Sequence, residues 1–167
     1  VKYFSKKRGF VAVDVPPLSI DLKTEVKARA SFVRPENMHI TLKFLGEYDI
    51  DEAKKIKVLE GFGSFELELE GLGAFPNVKN ARVIWVGVKN PKKINELAKK
   101  THELFGYNKF YPHITLVRMK EPFDASELLK KYHNICFGSL RVDLVKFKES
   151  ILTPAGSIYK TLYEVKL

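Results

Sequence analysis

The chain has 167 residues, 45% of them apolar, a single cysteine, and 29 Lys and Arg against 20 Asp and Glu, a surplus of nine positive charges. That length and apolar share suit one domain with a true core, and no apolar run approaches bilayer length, so a transmembrane helix is not expected. Cys136 has no partner for an intrachain disulfide or a cysteine zinc site, and the charge surplus favours a polyanion such as nucleic acid.

In chain order, the basic start Val1 to Arg8 is followed by Asp14, Pro16 and Pro17 rather than a signal-type apolar core. Secretion is therefore not expected, and a reducing cytoplasm is the default. The absence of glutamine, with many lysines, leans towards a heat-adapted source. Residues 10–15 read as a buried strand ended by the two prolines. Leu22, Val26 and Ala30 at helical spacing predict a helix over 18–31. Phe32 and Val33 look extended, and a turn at Glu36-Asn37 leads into a strand from His39 to Leu45. Asp49 with Glu52 is a capping-box start for a helix to about Glu60, and Phe65 to Leu72 alternates as a strand. The second half opens with a strand from Arg82 to Val88. Helix 92–105 carries Ile94, Leu97, Ala98, Thr101, Leu104 and Phe105 on one face, and Gly106 stops it. A strand begins at His113, a short helix follows Asp124, and strands are expected near 138–148 and 158–166 with a turn at Thr153-Pro154-Ala155-Gly156 between them.

The tetrapeptide His-Ile-Thr-Leu occurs at 39–42 and again at 113–116, a spacing of 113 − 39 = 74 residues. Three other features recur in nearly the same register. Phe10-Val13 matches Ile84-Gly87, Asp49-x-x-Glu52 matches Asp124-x-x-Glu127, and Phe65, Leu67, Leu69 match Leu140, Val142, Leu144. The expected fold class is therefore α+β: two lobes of antiparallel sheet related by an approximate two-fold, helices outside, a cleft between, in one domain over 8–167 preceded by an extension at 1–7.

On a strand, His39 and Thr41 share one face while Ile40 and Leu42 share the other, and the same holds for His113, Thr115, Ile114 and Leu116. Two imidazoles and two hydroxyls facing one cleft suit phosphodiester cleavage. One neutral imidazole takes a proton from water, the other gives one to the leaving oxygen, and the hydroxyls bond phosphate oxygens. Arg118 could add a bidentate phosphate contact, but simple alternation puts it on the wrong face unless the strand bulges. Lys43 shares the parity of His39 and could reach RNA at the cleft edge, and Tyr111 could stack on a base. Phe44 and Trp85 read as core. His102 and His133 belong to no repeated motif and receive no chemistry. The four histidines lack metal-ligand spacing, so neither metal nor cofactor is expected.

These residues resemble the 2H phosphoesterase superfamily, which is defined by two His-x-Thr/Ser motifs in a bilobal fold. Within it they resemble the branch of RNA 2′,3′-cyclic phosphodiesterases also called 2′-5′ RNA ligases. The likeness runs through residues 8–16, 37–46, 112–118 and 152–156. It implies hydrolysis of a terminal 2′,3′-cyclic phosphate to a 2′-phosphate without metal, His39 as proton donor, His113 as proton acceptor, and Thr41 and Thr115 on phosphate oxygens. It also implies a reverse, ligating direction. The partner expected is RNA with cyclic or 2′-phosphate ends, tRNA fragments among the candidates, met by a cytoplasmic monomer. The alternatives are a phosphodiesterase for 2′-5′ oligonucleotides or small cyclic nucleotides, and a non-catalytic RNA-end binding protein.

Overall fold

The structure is a computed structural model and describes residues 7–167, so all of the expected extension except Lys7 lies outside the described residues. Its strands are β1 (Arg8–Asp14), β2 (Ala30–Phe32), β3 (His39–Gly46), β4 (Phe65–Phe75), β5 (Ala81–Val88), β6 (His113–Phe123), β7 (Cys136–Val142), β8 (Leu144–Thr153) and β9 (Gly156–Lys166). They form two antiparallel sheets, in the orders β3-β1-β8-β9 and β2-β6-β5-β4-β7. The α+β, two-lobed architecture expected from the sequence is what is found. The segment expected near 138–148 is divided at Asp143 into the separate strands β7 and β8.

The order β3-β1-β8-β9 corresponds to β6-β5-β4-β7, and the second sheet adds β2 outside β6. Each His-Ile-Thr-Leu strand thus lies beside an apolar strand, β3 beside β1 and β6 beside β5. The chain halves, however, are not the lobes. β2 and β4, from the first half, sit in the sheet of the second motif, while β8 and β9 complete the sheet of the first. Leu67 and Phe65 therefore pair directly with Leu140 and Val142 as cross-strand neighbours.

Helix α1 (Ile50–Ala53) carries the capping box expected of Asp49 and Glu52, and passes into a 3-10 segment, Lys54–Leu59. Helix α2 (Lys92–Phe105) has the limits read from its periodicity and lies on β3. With Ile56 and Leu59 it covers the core face formed by Val11, Ile40, Leu42 and Phe147, all essentially inaccessible to solvent. Helix α3 (Ser126–Lys131) packs on β4.

The helix expected over 18–31 does not form. Leu22 and Val26 are buried as its spacing required, and Leu22 accepts from the amides of Glu25 and Val26, but the turn stops there. Residues 30–32 instead give their backbone to β6, pairing Ala30 with Met119, Ser31 with Arg118 and Phe32 with Val117. A strand edge that would otherwise lie open takes those groups, and sheet pairing overrides a three-residue periodicity.

Candidate active site

His39 and His113 each open a strand, and β3 and β6 approach within 8 Å, Cα to Cα, where the two sheets meet. The two imidazoles are held alike. His39 Nδ1 lies 2.7 Å from the carbonyl of Asn37, and His113 Nδ1 lies 2.7 Å from the carbonyl of Tyr111. A carbonyl only accepts, so Nδ1 carries the hydrogen in both, and each Nε2 is left for chemistry. Rings fix each imidazole further. Phe10 and Tyr159 flank His39 at 5.2 and 5.3 Å, while Phe75 and Trp85 flank His113 at 5.0 and 5.9 Å.

Thr41 and Thr115 follow on the same faces, half-buried, while Ile40, Leu42, Ile114 and Leu116 are buried behind them. The alternation then breaks at one place in both strands. Trp85 pairs with Thr115 and Ile84 with Val117, skipping Leu116; Ala12 pairs with Thr41 and Val11 with Lys43, skipping Leu42. Each is a bulge that sets two residues against one and reverses the parity beyond it. Arg118 is thereby returned to the face of His113 and Thr115, as its proposed role required.

The same device in β3 turns Phe44 to the site face, where it is 48% exposed rather than core, and sends Lys43 to the other side. The Lys43 ammonium hydrogen-bonds the Asn108 side chain beyond α2, so Lys43 does not share the face of His39 and Thr41 as simple alternation predicted. Each skipped leucine keeps its carbonyl satisfied from outside the sheet pair. Leu42 lies 2.9 Å from His102 Nε2, and Leu116 accepts from the Val33 amide at 2.8 Å. His102, without a role in the sequence reading, thus braces the bulge behind Thr41.

Burial lowers the pKa of His39. The Asn37 carbonyl opposes this, and the charges of Lys148, Asp14 and Arg118 act in opposing senses. Burial likewise lowers His113, opposed by the Tyr111 carbonyl and reinforced by Arg118. Arg118 also pulls down Tyr159, whose burial otherwise raises it. One guanidinium therefore acts on both imidazoles and on the Tyr159 phenol. Asp14 faces His39 across the β1–β3 ladder and is tied to Lys146 at 2.7 Å and to the buried Lys148. Those contacts outweigh burial and lower the carboxyl pKa.

Tyr111 is 57% exposed and tilts over Trp85 at 5.3 Å. Trp85 itself lies on the site face, not in the core. Its ring rests on Gly73, where an added Cβ would stand 2.2 Å from the indole. Sequence reasoning missed Tyr159, Asn37 and Arg34 beside the site, because loop and hairpin residues carry no periodic signal. Tyr159 alone had one, sitting three residues past the Thr-Pro-Ala-Gly turn on an alternating strand. Among the described residues, no group of three or more His, Cys, Asp or Glu side chains converges as a metal set would, and no helix is long and apolar enough to cross a membrane.

The chain matches the family model described as LigT like phosphoesterase twice in succession, at 16–85 and 86–159. It is 34% identical to the RNA 2′,3′-cyclic phosphodiesterase of Methanothermobacter thermautotrophicus over 97% of this chain and 100% of that protein. It is 38% identical to the protein of the same name from Archaeoglobus fulgidus, over 93% and 97%. Among solved structures it resembles E. coli LigT complexed with 3′-AMP, with a TM-score of 0.73, 25% identity, and coverage of 96% of this chain and 97% of that one.

Proposed function

The chain belongs to the LigT-like phosphoesterase family, and from that premise we propose that it opens the 2′,3′-cyclic phosphate at RNA ends, with His39 and His113 as acid and base. The observation that carries this reading is the matched tethering of the two Nδ1 atoms, which leaves the Nε2 atom of each imidazole for proton transfer.

In the forward direction His113 Nε2 takes a proton from water as the water oxygen attacks phosphorus. The P–O3′ bond breaks, and His39 Nε2–H protonates the departing 3′-oxygen, leaving a 2′-phosphate and a 3′-hydroxyl. Attack opposite the leaving oxygen needs acid and base on opposite sides of phosphorus, and one histidine per lobe supplies that arrangement. The Thr41 and Thr115 hydroxyls and the Arg118 fork bond the non-bridging oxygens as charge gathers on them. Because both imidazoles are held in the same tautomer, they can exchange roles, and a 5′-hydroxyl in place of water gives the ligating direction. Tyr111, exposed beside His113, is positioned to stack on a base. The exposed Cys136 thiol suits a reducing cytoplasm, where tRNA fragments among other RNA ends would be the substrates of a monomeric enzyme.

The test is to incubate the protein in EDTA with a short RNA ending in 2′,3′-cyclic phosphate, beside His39→Ala and His113→Ala. Wild type should release a 2′-phosphate, and each alanine should lose about a thousandfold in rate while still binding RNA. A cyclic end left intact by a protein that binds the RNA would make this a binding module. Cleavage only of a 2′-5′ linked oligonucleotide would replace the substrate.

A further inference from the structure

We propose that the groove between residues 33–37 and the β8–β9 hairpin holds the RNA chain on the 5′ side of the cyclic end, with Arg34 binding the first internal phosphate. This rests on the cyclic-phosphodiesterase reading. A cyclic-ended RNA can leave the reacting centre only through the 5′-oxygen of its last nucleotide, so a phosphodiester follows one nucleotide away and needs its own cation.

The groove begins at the reacting centre and runs out from it. Its inner end is Arg118, and Asn37, which also borders it, supplies the carbonyl that holds His39. Tyr159 forms a wall, with its ring edge-on to the His39 imidazole. Further out stands Arg34, and Ser31 lines the β2 side. The cavity is about 360 Å³, with two arginines and no carboxylate in its lining. Polar bonds tie its two banks together: Arg34 Nη2 donates to the Ala155 carbonyl at 3.0 Å, and Asn37 Nδ2 donates to the Ser157 carbonyl at 3.2 Å. The first bond aims the guanidinium, whose remaining fork can take a phosphate oxygen. A second hollow, sharing Arg34, Asn37 and Tyr159, adds Lys148 and one carboxylate, Glu36. The opposite rim of the site, with Phe75, Trp85 and Tyr111, presents rings instead, which suit a base rather than a phosphate.

The experiment compares kcat/KM for a 2′,3′-cyclic mononucleotide and for a trinucleotide ending in the same cyclic phosphate. The proteins are wild type, Arg34→Ala, Arg34→Lys and Arg34→Glu. Wild type should prefer the trinucleotide. Arg34→Ala should lose about tenfold on the trinucleotide, the worth of one charge-assisted phosphate contact, and less than about twofold on the mononucleotide. Arg34→Lys should fall between. Arg34→Glu, at an exposed position, should deepen the same selective loss by repulsion of the internal phosphate. The salt dependence of the trinucleotide reaction should also become shallower by about one phosphate's contribution in Arg34→Ala. Equal losses on both substrates, or no loss on the trinucleotide in both Arg34→Ala and Arg34→Glu, would overturn the groove assignment. Wild type opening both substrates equally would overturn it too, leaving the enzymatic reading intact. Failure of wild type to open either would overturn that reading as well.

Discussion

The role proposed for Arg118 as a phosphate ligand can be separated by experiment from its effect as a charge. Burial first, then Arg118, holds His113 below the ordinary imidazole value; at His39 burial leads and Arg118 is a smaller contributor in the same direction. The acid must carry its proton before substrate arrives, so kcat/KM should fall with rising pH through a pKa below about 6.5. Binding an anionic phosphate favours the imidazolium, so the alkaline limb of kcat should lie at higher pH than that of kcat/KM. Arg118→Ala removes a cation that disfavours protonation, so its kcat/KM limb should move to higher pH while the rate drops about a hundredfold. Arg118→Lys keeps the charge but not the fork, so the limb should stay near the wild-type position although the rate still falls. A limb that does not move in Arg118→Ala would mean that the guanidinium does not face both imidazoles.

At the scale of the element, the site depends on where two strands stop alternating. Without the bulge at Leu42, Lys43 would lie beside Thr41, and Phe44 would turn inwards. His102 donates to the carbonyl of Leu42, and replacing it with leucine leaves a buried acceptor unpaired, a cost of about 1–3 kcal/mol. His102→Leu should lower kcat about tenfold with little change in KM, since Thr41 is misplaced for the transition state rather than for binding. His102→Gln, whose amide nitrogen can occupy the place of Nε2, should recover most of that rate. A glutamine variant as slow as the leucine one would mean that His102 serves packing alone.

This is also where the sequence stopped being readable. The paired His-x-Thr, the strand limits and α2 follow from periodicity, because side-chain alternation and the 3.6-residue turn are local. Both bulges are settled by cross-strand register, which no local pattern records, so Lys43 and Phe44 were expected on the wrong faces and Arg118 needed a bulge to be useful. Trp85, between the buried Ile84 and Val86, reaches the site face by plain alternation. The missing helix at 18–31 has the same cause. Leu22 and Val26 found their burial, but the backbone at 30–32 was claimed by β6, with Ser31 pairing Arg118 far along the chain.

Over the whole molecule, the repeat in the sequence and the lobes in space do not coincide, and this bears on how the imidazoles keep their separation. Each sheet is built from both chain halves: β1 is paired by β3 on one side and by β8 on the other, while β6 lies between β2 and β5. Neither chain half can close these ladders alone, so the two lobes should melt as one unit. Calorimetry should show a single transition whose calorimetric and van't Hoff enthalpies agree. Cutting the chain in the loop after β5 should leave fragments 1–89 and 90–167 that show no cooperative transition separately. The first would lack β8 and β9 beside β1, and both β6 and β7, while the second would hold β6 without either of its neighbours. Mixed, the fragments should regain both the transition and the phosphodiesterase activity. Two separate transitions in the intact chain, or a fragment that melts cooperatively alone, would show that the lobes are independent. In that case the spacing of His39 and His113 would be free to vary with the hinge between them, whereas interleaved strands hold it fixed before substrate binds, so that none of the binding energy is spent on bringing acid and base together.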